Sequence, residues 1–109
     1  MISTADDMHR FMTALFEGKL FRSPASLALM QQTVPSPIPG TDGYGLGLIR
    51  LDGSFWGHGG QTPGFISAAG ASAGNRVSFI AWGNSASNPV VLLAPDIIGA
   101  LTAAGASAE

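Results

Sequence analysis

From Tyr44 to Trp82 the sequence reads YGLGLIRLDGSFWGHGGQTPGFISAAGASAGNRVSFIAW, and over this stretch the hydrophobic period is two. Apolar or alternating runs occupy Tyr44 to Leu51, Ser54 to His58, Phe65 to Ala71 and Arg76 to Trp82. Between them lie Asp52-Gly53, Gly59 to Gly64 and Ser72 to Asn75, which are rich in turn-forming residues. Connections this short join antiparallel neighbours, because a parallel pair needs a crossover of about a dozen residues or more. The stretch therefore predicts an antiparallel meander of about four strands, with Asp52-Gly53 as a two-residue hairpin turn.

Outward from the meander the period changes to that of a helix. Met8, Phe11, Met12, Leu15 and Phe16 fall on one helical face, with Asp6, Asp7, Arg10 and Glu17 off it. Ser3 or Thr4 can cap this helix, the early acidic residues complement its dipole, and Gly18 ends it. Ser23 followed by Pro24 announces a second, shorter helix carrying Leu27, Leu29 and Met30. From Thr33 to Gly43 three prolines and two glycines forbid a regular element, so that segment is a loop. Asn88 to Ala104 reads as a third helix, with Pro95 kinking or restarting it. Helix, helix, meander, helix predicts one α+β domain whose helices pack together on one face of the antiparallel sheet.

Composition removes several classes of function. Lys plus Arg number 5 against 7 for Asp plus Glu, which leaves no basic stripe for nucleic acid. With 0 cysteines there is no disulfide, thiolate metal site or cysteine nucleophile. The longest apolar run, Pro89 to Ala94, is far below the roughly 20 residues that span a bilayer. The amino end is acidic and polar where an export signal would be basic and then apolar, and the compartment stays open.

The densest local signal is Gly57-His58-Gly59-Gly60-Gln61-Thr62-Pro63-Gly64-Phe65. Of 15 glycines, 11 fall between Gly40 and Gly74, several inside strands where they forgo side-chain packing. Glycines around a strand-end histidine strip the strand edge bare, so an extended ligand could pair with its backbone. A lone histidine is by default an ordinary polar residue, and the glycines by default serve turns and bulges. A phosphate loop is excluded because Gly64 leads into a strand with no Gly-Lys-Ser/Thr, and no metal site is expected because His9 has no zinc-motif partner.

Taken together, Ile2 to Leu20, Tyr44 to Leu48, Gly57 to Phe65 and Trp82-Gly83-Asn84 resemble the carboxyl-terminal third of the serine β-lactamase and DD-peptidase superfamily, near its class C, DD-carboxypeptidase and esterase branch. The resemblance rests on a Ser-Thr-Ala-x-Asp helix start, a Tyr-Gly-Leu-Gly strand and a His-x-Gly third motif in that order. It implies the carboxyl-terminal part of the β-lactamase/transpeptidase-like fold, a single partial domain over 1–109. It implies that His58 stands in one wall of the active site and that the backbone amide of Gln61 is an oxyanion donor. Gly59, Gly60, Thr62 and Asn84 would then contact substrate. The family's Ser-x-x-Lys nucleophile motif is not in this chain, since Lys19 has Phe16 three residues before it, nor is its Tyr-x-Asn or Tyr-x-Ser motif, since Tyr44 is followed by Gly45-Leu46. Gly59, standing where Thr is common, leans toward an ester or amide substrate.

The expectation is therefore the carboxyl-terminal part of a serine hydrolase, with no nucleophile, metal or cofactor of its own, inactive alone and acting on a small acyl substrate only with the missing amino-terminal part. Its unpaired sheet edge should promote self-association. The alternative from another class is a non-enzymatic module that binds an extended peptide along the glycine-lined edge.

Overall fold

The computed structural model describes residues 1–72, 74, 77–85, 87 and 94–105. The first helix, α1, spans Ala5–Phe16; Thr4 caps it, its hydroxyl accepting from the Asp7 amide at 3.1 Å, with Asp6 and Asp7 in the first turn. Helix α2 spans Pro24–Met30, capped by Ser23 with proline in its first turn. Five strands follow: β1 (Gly43–Tyr44), β2 (Ile49–Asp52), β3 (Phe55–Thr62), β4 (Phe65–Ser72) and β5 (Ser78–Gly83). They form one sheet in the order β1-β2-β3-β4-β5, every pair antiparallel. Helix α3 spans Ala94–Ala103, with Pro95 in its first turn. The expected first half of that helix, the Arg76 start of the last strand and part of the turn before it lie outside the described residues.

The α+β class and the antiparallel meander hold, with three local differences. The run from Tyr44 to Leu51 is two strands, because Gly47 takes φ +71° and the Gly45 amide closes a tight turn onto the Leu48 carbonyl at 2.7 Å. The hairpin after β2 turns on Gly53-Ser54, one residue later than expected, because a bulge between Arg50 and Asp52 carries Asp52 into register with Phe55. The strand holding His58 runs on to Thr62, and the turn needs only Pro63-Gly64, with Gly64 at φ +82°.

The helices do not share one face. Phe55 and Trp56 are consecutive in β3, so their side chains leave opposite faces of the sheet, and both are buried. Trp56 packs with Leu15 of α1 and with Leu48, bordered by Leu27 and Met30. Phe55 packs with Ile66, Phe79 and, from α3, Ala94 and Ile98. Two adjacent large apolar residues demand cover on both sides, and a single helical layer cannot supply it. His9 is exposed and joins α1 to β5 through a 2.5 Å hydrogen bond between its Nδ1 and Ser78 Oγ.

Because the two cores touch opposite faces and share no residue, their losses should add. Leu15→Ala and Ile98→Ala are each expected to cost about 2–5 kcal/mol, and the double variant the sum of the two within about 0.5 kcal/mol. Urea unfolding of the three variants checks this; strong coupling would mean the two cores form one unit.

Candidate active-site wall

Strand β3 carries five of the six residues singled out from the sequence: His58, Gly59, Gly60, Gln61 and Thr62. The register sorts them. In rows across β3, β4 and β5, His58 lies beside Ala69 and Ile80, and Gly60 beside Ser67 and Trp82. Thr62 lies beside Phe65, and Asn84, one residue past the last paired position of β5, extends that row. His58, Gly60, Thr62 and Asn84 are thus brought to the face that Trp56 and α1 share, whereas the side-chain positions of Gly59 and Gln61 belong to the opposite face with Ala68 and Ile66.

For Gly59 and Gln61 the backbone matters instead. Thr62 and Phe65 flank a two-residue hairpin turn and so exchange hydrogen bonds, which turns the backbone groups of Thr62, Gly60 and His58 toward β4. The alternating residues Gln61 and Gly59 turn theirs to the other edge. There β2 pairs with β3 only along Phe55–Gly57, so beyond Gly57 that edge has no strand partner among the described residues. The Gln61 N–H is therefore aimed out of the sheet, where a developing negative charge could meet it.

His58 leans over this open edge. Its Nδ1 is hydrogen-bonded to the Gly59 carbonyl at 2.5 Å, and its Nε2 to the Tyr44 hydroxyl at 2.7 Å. The two rings meet edge to face, 5.8 Å apart and 89° inclined. Tyr44 fits no Tyr-x-Asn motif, yet the short β2 lets it reach His58 from two strands away. The only sequence signal was that Tyr44 is the chain's single tyrosine, placed at the head of Tyr-Gly-Leu-Gly.

Two glycines hold this pair. A Cβ on Gly57 would stand 2.0 Å from the Ala69 carbonyl oxygen, and one on Gly45 would stand 2.3 Å from the Met30 carbonyl oxygen. Both obstacles are backbone, so neither can swing aside. Two grooves flank the site: one of about 500 Å³ between α1 and the sheet, reaching from Met8 and Phe11 to His58 and Trp82, and one of about 440 Å³ bounded by Gly60, Thr62, Phe65, Trp82 and Asn84. No Asp, Glu, Lys or Arg among the described residues lines either. The described residues contain no group of three or more His, Cys, Asp or Glu side chains able to hold a metal, and no helix long and apolar enough to cross a membrane.

Residues 1–103 match the Beta-lactamase family model, and the chain belongs to that family. Among solved structures it is similar to a D-stereospecific amidohydrolase from Streptomyces sp., with a TM-score of 0.66 and 33% identity, over 82% of this chain and 28% of that one. This chain thus spans under a third of the length of that protein.

Gly57→Ala should destabilise by about 3 kcal/mol or more, because its Cβ meets a strand backbone that cannot yield. Gly18→Ala, at φ +73° with nothing within 4 Å, should cost only about 1–2 kcal/mol. Thermal unfolding of both variants gives the ranking, and equal losses would mean that Gly57 is not closely packed.

Proposed function

We propose that this chain is the carboxyl-terminal part of a serine hydrolase working by acyl transfer on an ester or amide bond. In this reading His58 stands in one active-site wall, the Gln61 N–H is one of two oxyanion donors, and Gly59, Gly60, Thr62 and Asn84 line the substrate's path. The nucleophile and its base come from polypeptide outside this sequence, which holds no Ser-x-x-Lys. The observation that carries the reading is the Gln61 N–H turned to an edge that β2 leaves unpaired, next to His58. Support comes from the neighbour that is by name an amidohydrolase, and from grooves with no Asp, Glu, Lys or Arg among the described residues that line them, which suit an uncharged amide or ester.

In acyl transfer the attacking serine oxygen adds to the carbonyl carbon and drives negative charge onto the carbonyl oxygen. A backbone N–H fixed by a strand needs no reorganisation to receive that charge, and in enzymes such a donor contributes about 2.7–4 kcal/mol to the transition state. This chain offers that donor but no covalent step, so alone it is inactive. The open edge of β3 also favours a second reading, in which an extended peptide pairs with Gly59 to Gln61 and no reaction follows. The same edge is a route to self-association.

Purified alone, the chain should show no labelling by a fluorophosphonate or penicillin probe. Co-expressed with the polypeptide encoded upstream in the same reading frame, it should restore hydrolysis of a chromogenic ester or amide, and His58→Ala should abolish it. Gln61→Pro, which removes an edge-facing N–H that no β4 group needs, should lower kcat by about 10²–10³, while Gln61→Ala, which loses the side chain and keeps the N–H, stays near the parent rate. Stoichiometric labelling of the chain alone would overturn the division of the site, and peptide binding without any restored turnover would favour the second reading.

Sedimentation across a dilution series reads the exposed edge directly. Association that strengthens with concentration is expected, and a monomer at every concentration would show the edge to be protected.

A further inference from the structure

Acyl transfer as described gives tasks to His58 and Gln61 but none to Tyr44, the one side chain among the described residues that is hydrogen-bonded to the His58 ring. A carbonyl can only accept, so the Nδ1 that contacts the Gly59 oxygen must carry a proton. In a neutral imidazole Nε2 is then the acceptor, and the Tyr44 hydroxyl beside it is the donor. Both ring nitrogens are thereby occupied from within the chain. The backbone on either side is constrained as well, since Gly45 follows Tyr44 and Gly57 precedes His58, and neither tolerates a Cβ without moving main chain.

We propose that Tyr44 is a positioning residue for His58: its donated hydroxyl selects the tautomer protonated on Nδ1 and pins the ring to the Gly59 carbonyl. The inference rests on β3 as an active-site wall for its consequence, though not for its test. With the ring pinned there, the pair covers the Gly59 carbonyl where β2 would otherwise continue, and the next backbone group offered at the edge is the Gln61 N–H. Tyr44 thus acts on the site through His58 and through the edge it closes, and it touches no reacting atom.

The test reads the imidazole directly. Long-range proton–nitrogen spectra of the ¹⁵N-labelled chain are recorded at about pH 8.5, some two units above the ordinary imidazole range. His9→Gln removes the other histidine and assigns the signals. The expected result is the Nδ1–H form of His58 in about fivefold excess or more, the ratio one net hydrogen bond sustains. In Tyr44→Phe, which keeps the ring and loses only the donor, that excess should fall below about twofold.

Predominance of the Nε2–H form in the parent chain, or an unchanged ratio in Tyr44→Phe, would overturn the proposal. If Tyr44→Phe does not fold, the unsubstituted chain still decides, through the Overhauser contact between the Tyr44 ring protons and His58 Hε1. Its presence together with the Nδ1–H form supports the role, and its absence removes it. No turnover enters these spectra, so the positioning role can fail while acyl transfer stands, and the reverse.

Discussion

Eight consecutive residue pairs join β3 to β4, and in the third of them Gly57 faces Gly70. This close approach governs both faces of the sheet. Against Gly70 lies the ring of Phe79, whose Cε1 is 2.7 Å from where a Cβ would be, so the core that receives α3 closes only because that position is bare. Against Gly57 lies the Ala69 carbonyl, and the approach there fixes the strand one residue before His58. A side chain at either position would push the strands apart or the ring out, and the core and the site would shift together.

From that pairing the placement of the site follows without further devices. Because β3 is eight residues long and β2 only four, with a bulge, β3 outruns its neighbour, and beyond Gly57 that edge has no strand partner among the described residues. Alternation then decides what faces outward: the backbone of Gly59 and Gln61 at the edge, the side-chain positions of His58, Gly60 and Thr62 on the sheet face. The unequal lengths do what an elaborate loop would otherwise have to do.

Much of this was legible in the sequence, for local reasons. Thr4 and Ser23 announce caps that a hydroxyl can make with its own first turn, and the period of two after Tyr44 needs only neighbouring residues to be seen. Where the reading failed, the deciding partner was distant. Gly59 and Gly60 read as turn because glycine favours turns, but eight-pair registry with β4 holds them in a strand. Phe55 and Trp56 read as one apolar run, and nothing local says that α1 covers one and α3 the other. Tyr44 and His58 meet across β2, 14 residues apart, at a spacing that belongs to no motif and depends on where β2 happens to end.

The surroundings of the face limit which polar groups it can present. With no charged side chain among the described residues lining either groove, the polar groups left to act there are an imidazole, a few hydroxyls and amides, and the backbone of an open strand. Backbone dipoles have an advantage in such a place: they carry no net charge, so placing them against apolar groove walls costs far less than placing an ion. Their direction is set by the strand rather than by a flexible side chain. The histidine is likewise tied at both nitrogens rather than left to swing. Rigidity in β3 and the sparing use of charge are two parts of one arrangement, in which the main chain presents the polar groups and the side chains hold it in place.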